Sequence, residues 1–158
     1  MTRLGSLPSG TAVDGDALTL YFDEIVDGLA AGSDNAAANT TAINNAITAA
    51  IATGSNGSVT KRGKRIAIPP GEWWINDSIL ISAAFGVQLI GIGKQSALIW
   101  TGNDNQKPVI LMDNARQCTI SGLYIVAQNA ALCGIQCRRG TVDTGMTPTK
   151  NRFIDIVY

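Results

Sequence analysis

NTTAINNAITAAIA (Asn39 to Ala52), followed after a Gly/Ser/basic run by RIAIPPGEWWI (Arg65 to Ile75), is the stretch whose reading decides the fold. In its first part Ile43, Ala46, Ile47, Ala50 and Ile51 recur at intervals of three and four, as on one face of a helix, with Asn39 as the expected N-cap and the end near Thr53. Asn44, Asn45 and Thr48 fall outside that stripe and are expected to face water. In the second part a β-prone IAI runs into Pro69 and Pro70, which remove two backbone donors where a strand leaves its ladder, and Gly71 permits a corner. The stretch therefore reads as an amphipathic helix handed through a polar loop, Gly54 to Lys64, to a short strand and a turn.

Downstream the period changes. SILI (78–81), GVQLIGIG (86–93), SALIW (96–100), PVILM (108–112), CTISGLYIV (118–126), LCGIQC (132–137) and RFIDIVY (152–158) are short β-prone runs separated by Gly, Asn, Asp or Lys turns. They have no helical signals between them and few two-residue hairpin turns, which argues against a meander and for stacked coils. GVQLIGIG, QCTISGLYI and NRFIDIVY superpose loosely, within the ~20–50-residue periods of repeat architectures. Val87, Leu89, Cys118, Ile120, Phe153 and Ile156 are the expected inward ladders. A sandwich of the same strands is the competing architecture.

Ahead of the helix, residues 1–13 lack the apolar anchors of a core and read as an arm. From Asp14 to Ala31, Leu18, Phe22, Ile25 and Leu29 are spaced four, three, four, which predicts a second helix with an apolar seam. Two units follow from this: residues 1–31 as arm and helix, and residues 32–158 as capping helix and first coils.

Composition narrows the chemistry. The 158 residues carry 12 basic and 12 acidic side chains and no His, so neither nucleic acid nor an anionic membrane is recruited by net charge, and the usual base near pH 7 is missing. No stretch has the length and apolarity of a membrane span, and the N-terminus lacks a signal-peptide core. Cys118, Cys133 and Cys137 read as reduced, small core residues, because the last two are too far apart on an extended strand to bridge. GIGK (91–94) lacks the remaining glycine spacing of a phosphate loop. No cofactor or metal is expected. Glu72 and Asp77 flank Trp74, a usable sugar platform, and the three are the candidate sugar contacts; no catalytic residue is assigned.

The small-residue linker, the Asn39-Thr40-Thr41-Ala42-Ile43 helix, Pro69-Pro70-Gly71 with the aromatics Trp73 and Trp74, and Val87-x-Leu89-Ile90-Gly91-x-Gly93 together resemble the N-terminal portion of the pectate-lyase-like superfamily, in particular its bacteriophage tailspike and tail-fibre members. The resemblance covers Gly32 to Tyr158, with Ala38-Asn39-Thr40 standing where the family has an acidic cap. It implies a mainly β fold: a right-handed, single-stranded parallel β-helix with an N-terminal capping α-helix, Trp73 and Ile75 facing in and Trp74 facing out. It also implies a homotrimer whose N-terminus, with Leu18, Phe22, Ile25 and Leu29 as candidate anchor or oligomer contacts, binds other tail or capsid proteins. The expected location is then the virion, after synthesis in the host cytoplasm, and the expected ligand is host surface polysaccharide. The alternative is a polysaccharide lyase or glycoside hydrolase of the same superfamily, not tied to a virion, with this segment non-catalytic in either case. RFIDIVY has no polar cap, so further coils beyond Tyr158 or other chains are expected to cover it.

Overall fold

The computed structural model describes residues 22–54, 63–128, 130–140 and 150–157. Among these the chain forms eleven short strands and one α-helix, α1 (Ala36–Gly54). The strands are β1 (Glu24–Ile25), β2 (Arg65–Ala67), β3 (Gly71–Ile75), β4 (Ile79–Ser82), β5 (Gln88–Ile90), β6 (Ser96–Trp100), β7 (Ile110–Asp113), β8 (Thr119–Ser121), β9 (Tyr124–Val126), β10 (Ile135–Arg138) and β11 (Arg152–Ile154).

Every strand pairing is parallel, and the strands sort into three sheets, β1-β2-β5-β8-β11, β3-β6-β9 and β4-β7-β10. From β2 onward the chain visits the three sheets in constant order, so each round adds one strand to each sheet. Register places like on like: Ile66, Leu89, Ile120 and Phe153 align, as do Trp73, Leu98 and Ile125, then Ile79, Ile110 and Ile135. These ladders build the core, in which Ile66, Leu89, Leu98, Ile110 and Ile120 are fully buried. A one-residue slip would turn each inward set outward, so burial locks the register.

The corners repeat as well. Left-handed backbone recurs at stacked positions, at Ala83 and Asn114, at Gly86, Gln117 and Lys150, and at Gly122 and Asp155. Gly71 opens β3 where the indole of Trp73 lies against its α-carbon, a place with no room for a side chain. That indole donates to the Pro69 carbonyl at 2.9 Å, and buried Ser96 in the next round donates to Ile68 O at 2.9 Å, which ties successive corners together.

The helix covers the first round, and it does so with polar atoms as well as with Ile43, Ile47 and Ala50. A first strand has no preceding neighbour and exposes a row of N–H and C=O groups. On β4 this row is met by one carboxamide: Asn44 Oδ1 accepts from Leu80 N at 2.8 Å and its Nδ2 donates to Ser78 O at 3.1 Å. On β3, Asn39 Nδ2 donates to Trp74 O at 3.1 Å, and Thr40 Oγ1 accepts from Asn76 N at 3.1 Å. On β2 the neighbour is β1 itself, held by Asp23 N to Arg65 O at 2.9 Å and Val26 N to Ala67 O at 3.0 Å.

Three expectations are corrected. The helix expected over Asp14 to Ala31 is absent from the described residues 22–31, where Glu24–Ile25 is a strand; pairing the bare edge of β2 outweighs a short helix that is marginal alone. The described part of the four-three-four seam therefore has no helix to run on: Phe22 and Ile25 are half-buried, Leu29 packs on the core, and Leu18 lies outside the described residues. Asn39 is not an N-cap, since α1 starts at Ala36 and the Asn39 side chain, fully buried, bonds to Ala30 and Trp74. Asn44 does not face water but seals β4. The expected inward and outward alternation of Trp73, Trp74 and Ile75 agrees with the register, and the described residues have the expected mainly β, parallel class with the capping-position helix α1.

Candidate functional site

Beside the helix, on the outward face of the β4-β7-β10 sheet, lies a cleft of about 650 Å³. Its helix side carries Thr41, Asn44 and Asn45; its sheet side carries Leu80, Leu111 and Gln136, aligned in register on β4, β7 and β10, with Pro108; Asp77 and Lys107 from the loops before β4 and β7, and Arg138 at the end of β10, complete the lining. A smaller hollow of about 350 Å³ shares Asn44 and Leu80 and adds Thr48, Ile51 and Ser82, so the two form one trough along α1. Together they fall in the ~300–1,000 Å³ range of ligand clefts.

The charges in the trough are already engaged. Lys107 Nζ donates to both carboxylate oxygens of Asp77, at 2.9 and 3.0 Å, and Arg138 Nη2 lies 3.3 Å from Asp113 Oδ2. Burial pushes the Asp77 carboxyl up, but the Lys107 hydrogen bond, the Ser78 backbone N–H and the attraction of the ammonium together outweigh it and hold Asp77 below its ordinary value. The same hydrogen bond and charge raise Lys107 above its ordinary value. The side chains of Gln136 and Asn45 carry no hydrogen bond among the described residues, and the Gln106 side chain donates only to Asn105 Oδ1, at 3.1 Å.

The structure divides the three candidate sugar contacts. Asp77 lines the cleft, whereas Glu72 and Trp74 sit on the outward face of β3, in a different sheet, and do not border it. Glu72 is exposed and Trp74 half-buried, its carbonyl held by Asn39. The lining supplies a single carboxylate, Asp77, where hydrolysis of a glycosidic bond by paired acids requires two. Gln136 escaped sequence reasoning because only the register shows that β10 lies two strands from β4, with Leu111 between Leu80 and Gln136.

The three cysteines are free and differ in environment. Cys118 is buried, and burial pushes its thiol to about 11 against backbone hydrogen bonds at Val87, Gly86 and Arg116 that lower it less. Cys133 is half-buried and Cys137 exposed, so core filling holds fully only for Cys118. Among the described residues no group of three or more His, Cys, Asp or Glu side chains could hold a metal ion, and no described helix is long and apolar enough to cross a membrane. The basic residues Lys61 and Arg62 of the polar loop lie outside the described residues.

No family model matches the chain, and no curated protein matches it.

Proposed function

We propose that this chain is the N-terminal portion of a bacteriophage tailspike or tail fibre: its three parallel sheets are the walls of a right-handed, single-stranded β-helix, its first residues attach to other virion proteins, and its flank binds host surface polysaccharide as part of a homotrimer. The observation that carries this reading is the difference between the two ends of the sheets. At the first round each strand edge has a dedicated partner, β1 on β2, Asn39 and Thr40 beside β3, and Asn44 on β4. At the other end, among the described residues, β10 and β11 are edge strands, and Phe153 and Ile154 are 47% and 39% exposed.

An exposed strand edge with apolar side chains templates pairing, which suits association with neighbouring copies in a homotrimer. The resemblance set out above points the same way. The experiment is removal of residues 1–21, which leaves β1 in place. Phage carrying this deletion assembles particles without the appendage while the purified protein melts as before; appendage-bearing particles at wild-type level refute attachment through the N-terminus.

A further inference from the structure

We infer that the trough between α1 and the β4-β7-β10 sheet is a binding site for a neutral, hydroxyl-rich ligand, an uncharged oligosaccharide segment. The inference rests on the polysaccharide-binding part of the proposed function and gives it a place and a chemical class.

Three features select the class. First, the strand edge beside the helix is closed: the Leu80 N–H and Ser78 carbonyl, the groups a peptide strand would pair with on β4, are already taken by Asn44. An extended peptide therefore has no backbone ladder to join on β4, and recognition there falls to side chains. Second, the ions that line the trough are matched within the chain, Lys107 by Asp77 and Arg138 by Asp113, so an anionic ligand would have to displace a carboxylate to gain a cation. Third, the groups left unspent are amides. Asn45 lines the trough from the helix and Gln136 from the sheet, in register with the apolar Leu80 and Leu111, and Gln106 keeps a free carbonyl oxygen.

An amide presents a donor and an acceptor side by side, and a sugar hydroxyl is donor and acceptor at once, so amides on two walls complement a polyol in either orientation. The C–H faces of a pyranose ring match the exposed part of Leu80, which is 42% accessible, and half-buried Leu111. The sheet holds Gln136 while the helix holds Asn45, so both walls are rigid elements and the site needs no loop closure. Glu72 and Trp74, on another sheet, take no part.

The test is nitrogen-15 NMR of the whole chain, titrated with neutral glucan, mannan and galactan tetrasaccharides and, in parallel, with oligogalacturonate. At least one neutral oligosaccharide shifts the side-chain amide signals of Asn45 and Gln136, with an affinity nearly independent of salt. Asn45→Ala and Gln136→Ala each weaken it roughly tenfold, the effect of losing about 1.4 kcal/mol of hydrogen bonding, without changing the melting temperature. Binding of oligogalacturonate alone, binding untouched by both substitutions, or no binding to any neutral probe overturns the inference. Adsorption of labelled protein to host cells separates the two readings. Equal adsorption of the wild type and both variants refutes the trough and leaves polysaccharide binding standing; absence of adsorption by the wild type, with no oligosaccharide bound, refutes both.

Discussion

Replacing Asn39 by alanine removes three hydrogen bonds made by one fully buried carboxamide: Ala30 N to Oδ1 at 2.9 Å, and Nδ2 to Ala30 O at 2.9 Å and to Trp74 O at 3.1 Å. Ala30 is exposed, so water can take over its two groups and each lost bond is worth only about 0.5–1 kcal/mol. The Trp74 carbonyl is in a half-buried residue under the helix and loses more, about 1–2 kcal/mol. The sum is a destabilisation of roughly 2–4 kcal/mol, read in urea as a midpoint lowered by about 1–2 M at the usual slope for a small domain. Asn39→Asp makes the sharper comparison. At a helix N-cap, Asp and Asn are equivalent. Here aspartate would turn two donated bonds into carboxylate oxygens facing carbonyl oxygens in a buried site, so Asn39→Asp is at least as damaging as Asn39→Ala at neutral pH and recovers in part when acid protonates the carboxyl. Equal stability of the wild type and Asn39→Asp, or a loss under about 1 kcal/mol for Asn39→Ala, would refute the edge-sealing role.

The remaining expectations concern the ladder, the thiols and the ion pair. Leu89→Ala, in the middle of the Ile66-Leu89-Ile120 ladder, lowers stability by about 2–5 kcal/mol, while Phe153→Ala, on the open rung, lowers it by less than Leu89→Ala; denaturant melts that rank them the other way contradict the stacking order. Under native conditions a thiol reagent labels exposed Cys137 first, half-buried Cys133 more slowly and Cys118 only on unfolding, because the thiolate is the reactive form and Cys118 is held at about 11 by burial; mass spectrometry of timed samples checks the order. Asp77 ionises below its ordinary value of 3.8 in the folded chain, so its contribution is full above pH 3.8 and is lost as the pH falls through the lowered value. Lys107 is raised above 10.5, so its contribution is full below that pH and is lost as the pH climbs through the raised value. Asp77→Asn accordingly flattens the part of the acid limb of the melting profile that lies below pH 3.8, and a limb of unchanged slope removes the pair from the account.

Local chemistry carried a good part of this protein in its sequence. The Ile43, Ile47 and Ala50 stripe defines a helix with one apolar face, Pro69-Pro70-Gly71 defines a corner, and alternation in VQLI and CTIS identifies Val87, Leu89, Cys118 and Ile120 as inward residues, all four fully buried. Each of these signals depends on neighbours a few residues away, so it can be read from a line of text. The same logic misjudged residues 22–31, where a helical spacing lost to the unmet edge of β2, some 40 residues downstream: Asp23 Oδ2 receives the Arg65 N–H across a separation of 42. It misjudged Asn39 and Asn44 for the same reason, since their partners Trp74 and Ser78 lie 35 and 34 residues away. The trough was invisible as well, because Asn45 on α1, Leu80 on β4, Lys107 in the loop before β7 and Gln136 on β10 meet only once the register is set. Periodicity and turn chemistry determined what the elements are; the need to satisfy backbone groups at strand edges, which is a property of the assembled sheets, decided which polar residues seal the fold and which are left facing the trough.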